Sequence, residues 1–126
     1  MNTGRLSVIG CALAWLVWSA ISAAAADYSW VGGRPDNKWT TSDNWQGGAG
    51  FRGAVGDVVT LNAADTVRLD TNGVVTLGRL QLTSTTPKTV RIEADPGAAF
   101  SFSGIAAPNS GFQVGGHADN RLVIVP

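Results

Sequence analysis

The residues Asp57-Val58-Val59-Thr60-Leu61 open the stretch that decides the fold, which runs to Gly104. Five further segments repeat the arrangement of two apolar residues on either side of a polar one. They are Thr66-Val67-Arg68-Leu69-Asp70, Val74-Val75-Thr76-Leu77, Leu80-Gln81-Leu82-Thr83, Thr89-Val90-Arg91-Ile92-Glu93 and Phe100-Ser101-Phe102-Ser103. A period of two puts alternate side chains on opposite faces of a strand. The stretch therefore predicts short β-strands with one buried and one solvated face.

The composition of the whole chain agrees with a turn-rich β protein. The chain has 126 residues, 16 of them Gly, and only 14% are charged. Many Gly, Thr, Val and Ala residues with little charge favour β structure over helix. Lys plus Arg and Asp plus Glu number 9 each, so no basic face is indicated and nucleic acid is not an expected partner.

Residues 1–26 have the pattern of a secretory signal peptide. Arg5 supplies the positive start, Leu6 to Ile21 supplies the apolar core, and Ser22 to Ala26 supplies small residues for cleavage. We expect cleavage after Ala26 and a secreted or cell-surface product that passes through the periplasm. Contact with a membrane is then expected only during export. Cys11 is the only cysteine, so the exported chain would be stable without disulfides.

Residues 27–56 are predicted to form a Trp/Gly-rich N-terminal cap and loop. Trp30, Trp39 and Trp45 lie among Gly, Asp, Asn and Ser residues, a pattern of neither a helix nor a long strand. These rings either form a platform that stacks on sugar rings or cover the open end of the β array, and the second interpretation is preferred. The Asp and Asn residues of this segment are of the types that bind calcium, namely Asp36, Asn37, Asp43 and Asn44. Their spacing does not match an EF-hand loop.

Residues 57–126 are predicted to be the β array itself, with turns about every 8–12 residues. This spacing admits an antiparallel β-sandwich or a short right-handed parallel β-helix, a β-solenoid. The β-solenoid is preferred because Val-Val-Thr-Leu occurs at both 58–61 and 74–77 and no clear two-residue hairpin joins long strands. The alternation shifts by one residue at Gly78, which predicts a bend that re-aims the strand.

Several motifs resemble the start of secreted bacterial β-helix passengers of the autotransporter type. The motifs are Trp30-Val31-Gly32-Gly33, Trp39, Ser42-Asp43-Asn44-Trp45, Gly56-Asp57-Val58-Val59-Thr60-Leu61 and Val75-Thr76-Leu77-Gly78-Arg79-Leu80-Gln81-Leu82. The resemblance implies a β-helix surface protein, and it carries over no catalytic residue. Such passengers continue for many more coils, so we expect this chain to be a fragment of a longer protein whose open coil end can self-associate.

The sequence offers little that indicates catalysis. His117 is the only histidine, and with Ser110 and Asp119 it supplies the residue types of a triad, which only geometry can identify. Carboxylates for glycoside cleavage would come from Glu93, Asp57, Asp65, Asp70 or Asp95. We expect a non-catalytic structural or adhesive segment without metal or cofactor, whose partner is a cell-surface glycan or protein. The alternatives are a carbohydrate-binding module and the remnant of a β-helix enzyme that acts on polysaccharide.

Overall fold

The computed structural model describes residues 25–48, 50–51 and 53–126. The predicted signal peptide therefore lies outside the described residues, except for its last two, Ala25 and Ala26. Among the described residues the regular structure is all-β, with two short 3-10 turns at Ser42–Asn44 and Gln46–Gly48 and no α-helix. This part of the chain accordingly contains no helix that could cross a membrane.

Nine strands make up the regular structure of the described chain. They are β1 (Asp27–Ser29), β2 (Val58–Thr60), β3 (Thr66–Leu69), β4 (Val74–Leu77), β5 (Arg79–Leu82), β6 (Thr89–Ala94), β7 (Ala99–Phe102), β8 (Gly111–Val114) and β9 (Arg121–Val125). The six segments predicted from the sequence correspond to β2 through β7. The strand β1 was not predicted, because its three residues are too few to show a period.

The strands form three sheets, ordered β1-β2-β5-β8, β3-β6-β9 and β4-β7. Every pairing between these strands is parallel, and each strand from β2 to β6 pairs with the third strand after it. An antiparallel sandwich would need neighbouring strands that run in opposite directions, which is not how the described strands pair. Parallel pairing needs a long connection between partners, and here two other strands supply it.

One apolar core lies between the three sheets. Its buried members come from all of them, with Val59 and Leu80 from the first sheet, Val67 and Ile92 from the second and Leu77 from the third. The parallel register puts these side chains in columns, because Val59 pairs with Leu80 and Val67 pairs with Ile92. Each strand contributes one apolar face to the same interior, as the period of two predicts.

Gly78 separates β4 from β5 and is the bend that the sequence predicts. It is buried, and a Cβ atom there would lie 2.6 Å from the side chain of Ile105 and 2.8 Å from the backbone of Gly56. The peptide N–H groups of Gly78 and Arg79 both donate to the carbonyl of Asp57. Glycine is required because the chain turns from one sheet to the next against neighbouring backbone.

Candidate functional site

The three tryptophans of the predicted cap lie together beside β2 and β3. The N–H of Trp30 donates to the carbonyl of Thr60 at the end of β2, at 2.9 Å. The N–H of Trp39 donates to the carbonyl of Arg68 in β3, at 2.8 Å. Trp45 lies between them, and its backbone forms an isolated antiparallel β-bridge with that of Trp30. The backbone therefore ties the tryptophan segment to the start of the β array.

The rings of these tryptophans pack edge to face on one another. The ring centroids of Trp30 and Trp45 are 5.1 Å apart, and those of Trp39 and Trp45 are 4.7 Å apart. Phe51 and Tyr28 complete the group, with a centroid separation of 4.8 Å between them. Such pairs add about 0.5–1.5 kcal/mol each beyond the area that they bury. We call these five residues the aromatic cluster.

Burial of the tryptophans bears on the two interpretations given to them. Trp30, Trp39 and Trp45 are 2%, 3% and 1% exposed, respectively. A platform for sugar rings needs an open aromatic face, and these faces are occupied by one another and by the core. The geometry therefore favours a cap that covers the first strands. The Gly-rich pattern around Phe51 gave no sign that this residue belongs to the same cluster.

A groove of about 240 Å³ lies beside the aromatic cluster, along the free edge of β4. Its lining includes the ring of Phe51 and the hydroxyl-bearing residues Thr40, Thr71 and Thr76. Sequence reasoning did not find this groove, because its lining comes from three separate segments. Hydroxyl groups beside an aromatic ring are suited to hydrogen bonding and stacking with a small polar ligand.

The acidic residues considered for calcium are held by protein donors. The carboxylate of Asp36 accepts hydrogen bonds from the N–H of Lys38, the hydroxyl of Thr41 and the side-chain amide of Asn44. These bonds, led by that from the Lys38 N–H, hold the pKa of Asp36 below its usual range. Asp43 instead pairs with Arg34 at 2.6 Å. Within the described residues, no group of three or more His, Cys, Asp or Glu residues is arranged to hold a metal ion.

The residues of the hypothetical triad are not arranged as one. The Nδ1 atom of His117 accepts a hydrogen bond from the N–H of Asp119 at 3.1 Å. A triad needs the opposite polarity, in which Nδ1–H donates to the aspartate carboxylate. The carboxylate of Asp119 lies 3.7 Å from Nδ1, and no hydrogen bond links Ser110 to His117 in the described structure. The imidazole of His117 therefore hydrogen-bonds within its own turn.

Three of the carboxylates considered for sugar chemistry lie in ion pairs, and Asp70 instead accepts hydrogen bonds from the N–H and hydroxyl of Thr40. Glu93 pairs with Arg91 at 2.9 Å, and Asp65 pairs with Lys88 at 2.6 Å. Arg68 donates two hydrogen bonds to Asp95 and so lowers the pKa of that carboxyl. A general acid for glycoside cleavage needs a raised pKa, so Asp95 has the wrong shift for this role.

Asp57 was considered with these carboxylates but lies in the interior. It is buried, and its two carboxylate oxygens accept hydrogen bonds from the peptide N–H groups of Ala26 and Ala54, both at 2.9 Å. Its backbone carbonyl accepts hydrogen bonds from the N–H groups of Gly78 and Arg79. Asp57 thus fixes the backbone at the corner where three segments of the chain meet.

Comparisons with known proteins add no relative: no protein-family model, curated protein or solved structure matches this chain significantly.

Proposed function

We propose that this chain is an exported structural or adhesive segment of a surface protein. In this proposal the strands form a short right-handed parallel β-solenoid with a tryptophan-rich N-terminal cap. The segment acts by displaying a surface rather than by catalysis. The single observation that carries the proposal is the pairing of each strand from β2 to β6 with the third strand after it.

That pairing supports a solenoid because three strands then make one turn of the chain around the core. Paired residues are 21 to 32 positions apart, which falls within the range of solenoid periods. In such a fold each coil contacts only its neighbours, and stacking them buries a continuous core. The core columns that join Val59 to Leu80 and Val67 to Ile92 have this arrangement.

Polar side chains also bond from one proposed coil to the next. The side-chain amide of Gln81 donates to the hydroxyl of Thr60 on the neighbouring strand at 3.0 Å. The Asn62 side chain accepts from the N–H of Thr83 at 2.7 Å and donates to its hydroxyl at 3.0 Å. Side-chain bonds of this kind stabilise the outer faces of stacked strands. They support a structural role for the polar residues between the apolar ones.

Export is supported by the sequence of residues 1–26 and by the absence of cysteine after Cys11. The resemblance to autotransporter-type passengers also implies export. Expression of the full chain in a Gram-negative host tests this part of the proposal. We expect a processed chain in the periplasm or medium, and mass spectrometry locates its first residue. Retention of the unprocessed chain in the cytoplasm would contradict export.

Tryptophan fluorescence tests the cap against the glycan-binding alternative. Once the leader is removed, the tryptophans of the chain are Trp30, Trp39 and Trp45. We expect blue-shifted emission that resists acrylamide and does not change when polysaccharides are added. Val31, which is 47% exposed, provides the control, because Val31→Trp adds an indole that acrylamide must quench. Red-shifted wild-type emission that moves with a polysaccharide would contradict the proposed cap.

Carbohydrate binding remains the second candidate, and the groove beside Phe51 favours it. Thr71 and Thr76 are the hydroxyl-bearing residues near β4 that line this groove. If the chain binds a glycan there, Thr76→Val lowers the affinity while tryptophan emission stays blue-shifted. A parallel assay for release of reducing or unsaturated sugars tests the enzyme alternative, with Glu93→Gln as the variant that should abolish genuine turnover.

A further inference from the structure

One charged side chain lies in the interior of the described chain, and that is Asp57, which is 2% exposed. Its Oδ1 atom accepts a hydrogen bond from the N–H of Ala26, and its Oδ2 atom accepts one from the N–H of Ala54, both at 2.9 Å. A buried carboxylate normally has a cation as its partner, because an unpaired buried charge is costly. None of the ion pairs among the described residues includes Asp57. In this part of the chain the carboxylate therefore has hydrogen-bond donors but no partner of opposite charge.

The nitrogen atom of Ala26 can become that partner. In the full chain it belongs to a peptide bond, and cleavage directly before Ala26 converts it into an α-ammonium group that is positively charged at neutral pH. At 2.9 Å from Oδ1 of Asp57, the nitrogen already has the position of the cation in a charge-assisted hydrogen bond. The carbonyl of Ala26 accepts a hydrogen bond from the N–H of Val58, which holds the residue at this place.

The sequence around Ala26 offers three equivalent positions for removal of the leader. Cleavage sites of this kind have small residues at the last and third-last positions of the leader. The pairs that satisfy this pattern are Ser22 with Ala24, Ala23 with Ala25, and Ala24 with Ala26. The cut after Ala26 that the Ala24-Ala25-Ala26 triplet favours is thus one of three, and the side chains alone do not distinguish them.

The contacts of the folded chain do distinguish the three products. A chain that begins at Ala25 carries its ammonium group on an exposed residue and leaves a neutral N–H beside Asp57. A chain that begins at Asp27 loses the donor to Oδ1 and the acceptor for the N–H of Val58. A chain that begins at Ala26 keeps both contacts and places a positive charge beside the buried carboxylate.

We propose that processing cleaves the bond between Ala25 and Ala26 and that the new α-ammonium group of Ala26 binds the buried carboxylate of Asp57. The proposal rests on the export proposed above, and a peptidase of the host supplies the catalysis. Water adds to the carbonyl carbon of Ala25, and the bond from that carbon to the Ala26 nitrogen breaks. The oxygen of the water stays with Ala25 as part of a carboxylate, and both of its protons go to the Ala26 nitrogen.

This ion pair couples removal of the leader to the stability of the fold. The backbone carbonyl of Asp57 accepts the N–H groups of Gly78 and Arg79, so the residue fixes the corner at which β5 begins. Before cleavage its carboxylate receives neutral N–H groups, and after cleavage it also faces a cation. Pairing a charge that is already buried stabilises the folded chain. The processed chain is therefore more stable than its precursor.

The first residue of the exported chain is the first test. The full chain is expressed in a Gram-negative host, and the processed product is analysed by intact-mass spectrometry and N-terminal sequencing. We expect Ala26 as the main first residue. A product that begins mainly at Ala25 or Asp27 overturns the proposal and leaves export intact. Retention of the unprocessed chain in the cytoplasm overturns both.

Exported chains with defined starts test the ion pair itself. Chains that begin at Ala25 and at Ala26 both keep the hydrogen bond to Oδ1, and they differ in which nitrogen is charged. At pH 7 we expect the Ala26 start to raise the midpoint of thermal unfolding by about 4–8 °C. Asp57→Asn should abolish this difference, whereas Asp27→Asn, at an exposed neighbour, should preserve it. Equal midpoints for the two wild-type starts, or a difference that survives Asp57→Asn, overturn the ion pair.

The reactivity of the α-amine provides a test that does not need a substituted chain. An ammonium group that is bound to a buried carboxylate stays protonated and is shielded from reagents. The α-amine of the Ala26 start should therefore react with an acylating reagent several-fold more slowly than the α-amine of the Ala25 start. Peptide mapping by mass spectrometry separates this reaction from acylation of the lysines. Equal rates for the two starts would mean that Asp57 does not bind the ammonium group, and the proposal would fail.

Discussion

The indole N–H of Trp45 donates a hydrogen bond of 2.8 Å to the backbone carbonyl of Trp39. The indole N–H of Trp39 is itself buried and has no hydrogen-bond partner among the described residues. Two neighbouring tryptophans of one cluster therefore differ in a single polar contact. A satisfied buried donor stabilises the fold, whereas an unsatisfied one carries its desolvation cost.

This difference predicts unequal effects of two matched substitutions. Trp45→Phe and Trp39→Phe remove similar volumes from the aromatic cluster, but only the first removes a hydrogen bond. We expect Trp45→Phe to lower the free energy of unfolding by about 1–2 kcal/mol more than Trp39→Phe does. Urea unfolding followed by circular dichroism measures both values. Equal losses would mean that ring volume alone determines the contribution of these residues.

The buried carboxylate of Asp57 gives a second prediction. In a chain that begins at Ala25, Asp57→Ala leaves the N–H groups of Ala26 and Ala54 without their acceptor, so we expect a loss of about 2–3 kcal/mol in unfolding free energy. Asp57→Asn keeps one acceptor oxygen and should lie between wild type and Asp57→Ala. Asp27→Ala removes an exposed carboxylate and serves as the control. A loss of unfolding free energy no larger than that of the control would contradict the structural role of Asp57.

The Ala26 contacts also predict how the first residue of the folded chain affects stability. Besides its bond to Asp57, Ala26 accepts a hydrogen bond from the N–H of Val58 at 2.9 Å. A chain that begins at Ala25 keeps both bonds, and a chain that begins at Asp27 loses both. We expect the longer chain to be more stable by about 1–2 kcal/mol. Purified chains with these two starts can be compared by thermal unfolding, and equal midpoints would contradict the expectation.

Much of the strand content follows from the sequence, because alternation reports which face of a segment is apolar. It does not report which strand is the partner. The two Val-Val-Thr-Leu segments read as equivalent repeats, yet 58–61 begins in the first sheet and 74–77 lies in the third. Partner choice depends on how the connecting strands wind around the core, and no local pattern records it.

The candidate sites likewise combine features that the sequence predicts with features that it does not. The grouping of Trp30, Trp39 and Trp45 was foreseeable from their spacing near one another. The participation of Phe51 was not, since it lies in a Gly-rich segment without periodicity. Alternation puts Phe112 on the same face as Leu80, its partner in the sheet, but no described strand covers β8 and Phe112 is 44% exposed. Alternation predicts the direction of a side chain, and burial depends on what lies next to it.

Two glycines provide a matched test of the corner between β4 and β5. A Cβ atom on Gly78 would lie within 3 Å of Ile105 and of the Gly56 backbone, whereas one on Gly73 would have its nearest neighbour at 4.0 Å. Gly78→Ala should therefore destabilise the protein by about 2 kcal/mol or more, as overpacking does. Gly73→Ala should have little effect. If both variants unfold at the wild-type temperature, the corner is not as closely packed as the structure describes.

Acid should destabilise the protein through Asp36 and Asp95. The pKa of Asp36 is lowered by hydrogen bonds, first from Lys38, and that of Asp95 is lowered first by its hydrogen bond from Arg68. A carboxylate with a lowered folded pKa binds protons more readily when unfolded. Its contribution is therefore complete above the unfolded pKa, near 3.8, and is lost as pH falls through the lower folded value.

We accordingly expect the unfolding temperature to fall below about pH 4 and to fall less steeply in Asp36→Asn, which has no proton to gain there. Thermal scans between pH 6 and pH 2.5 measure the slopes, with Asp119→Asn as the control at a solvent-exposed turn. Because Arg68 is exposed and Asp95 is only half-buried, high salt should weaken the part that Arg68 contributes to Asp95. An Asp36→Asn slope as steep as wild type would mean that its three hydrogen bonds do not persist in solution.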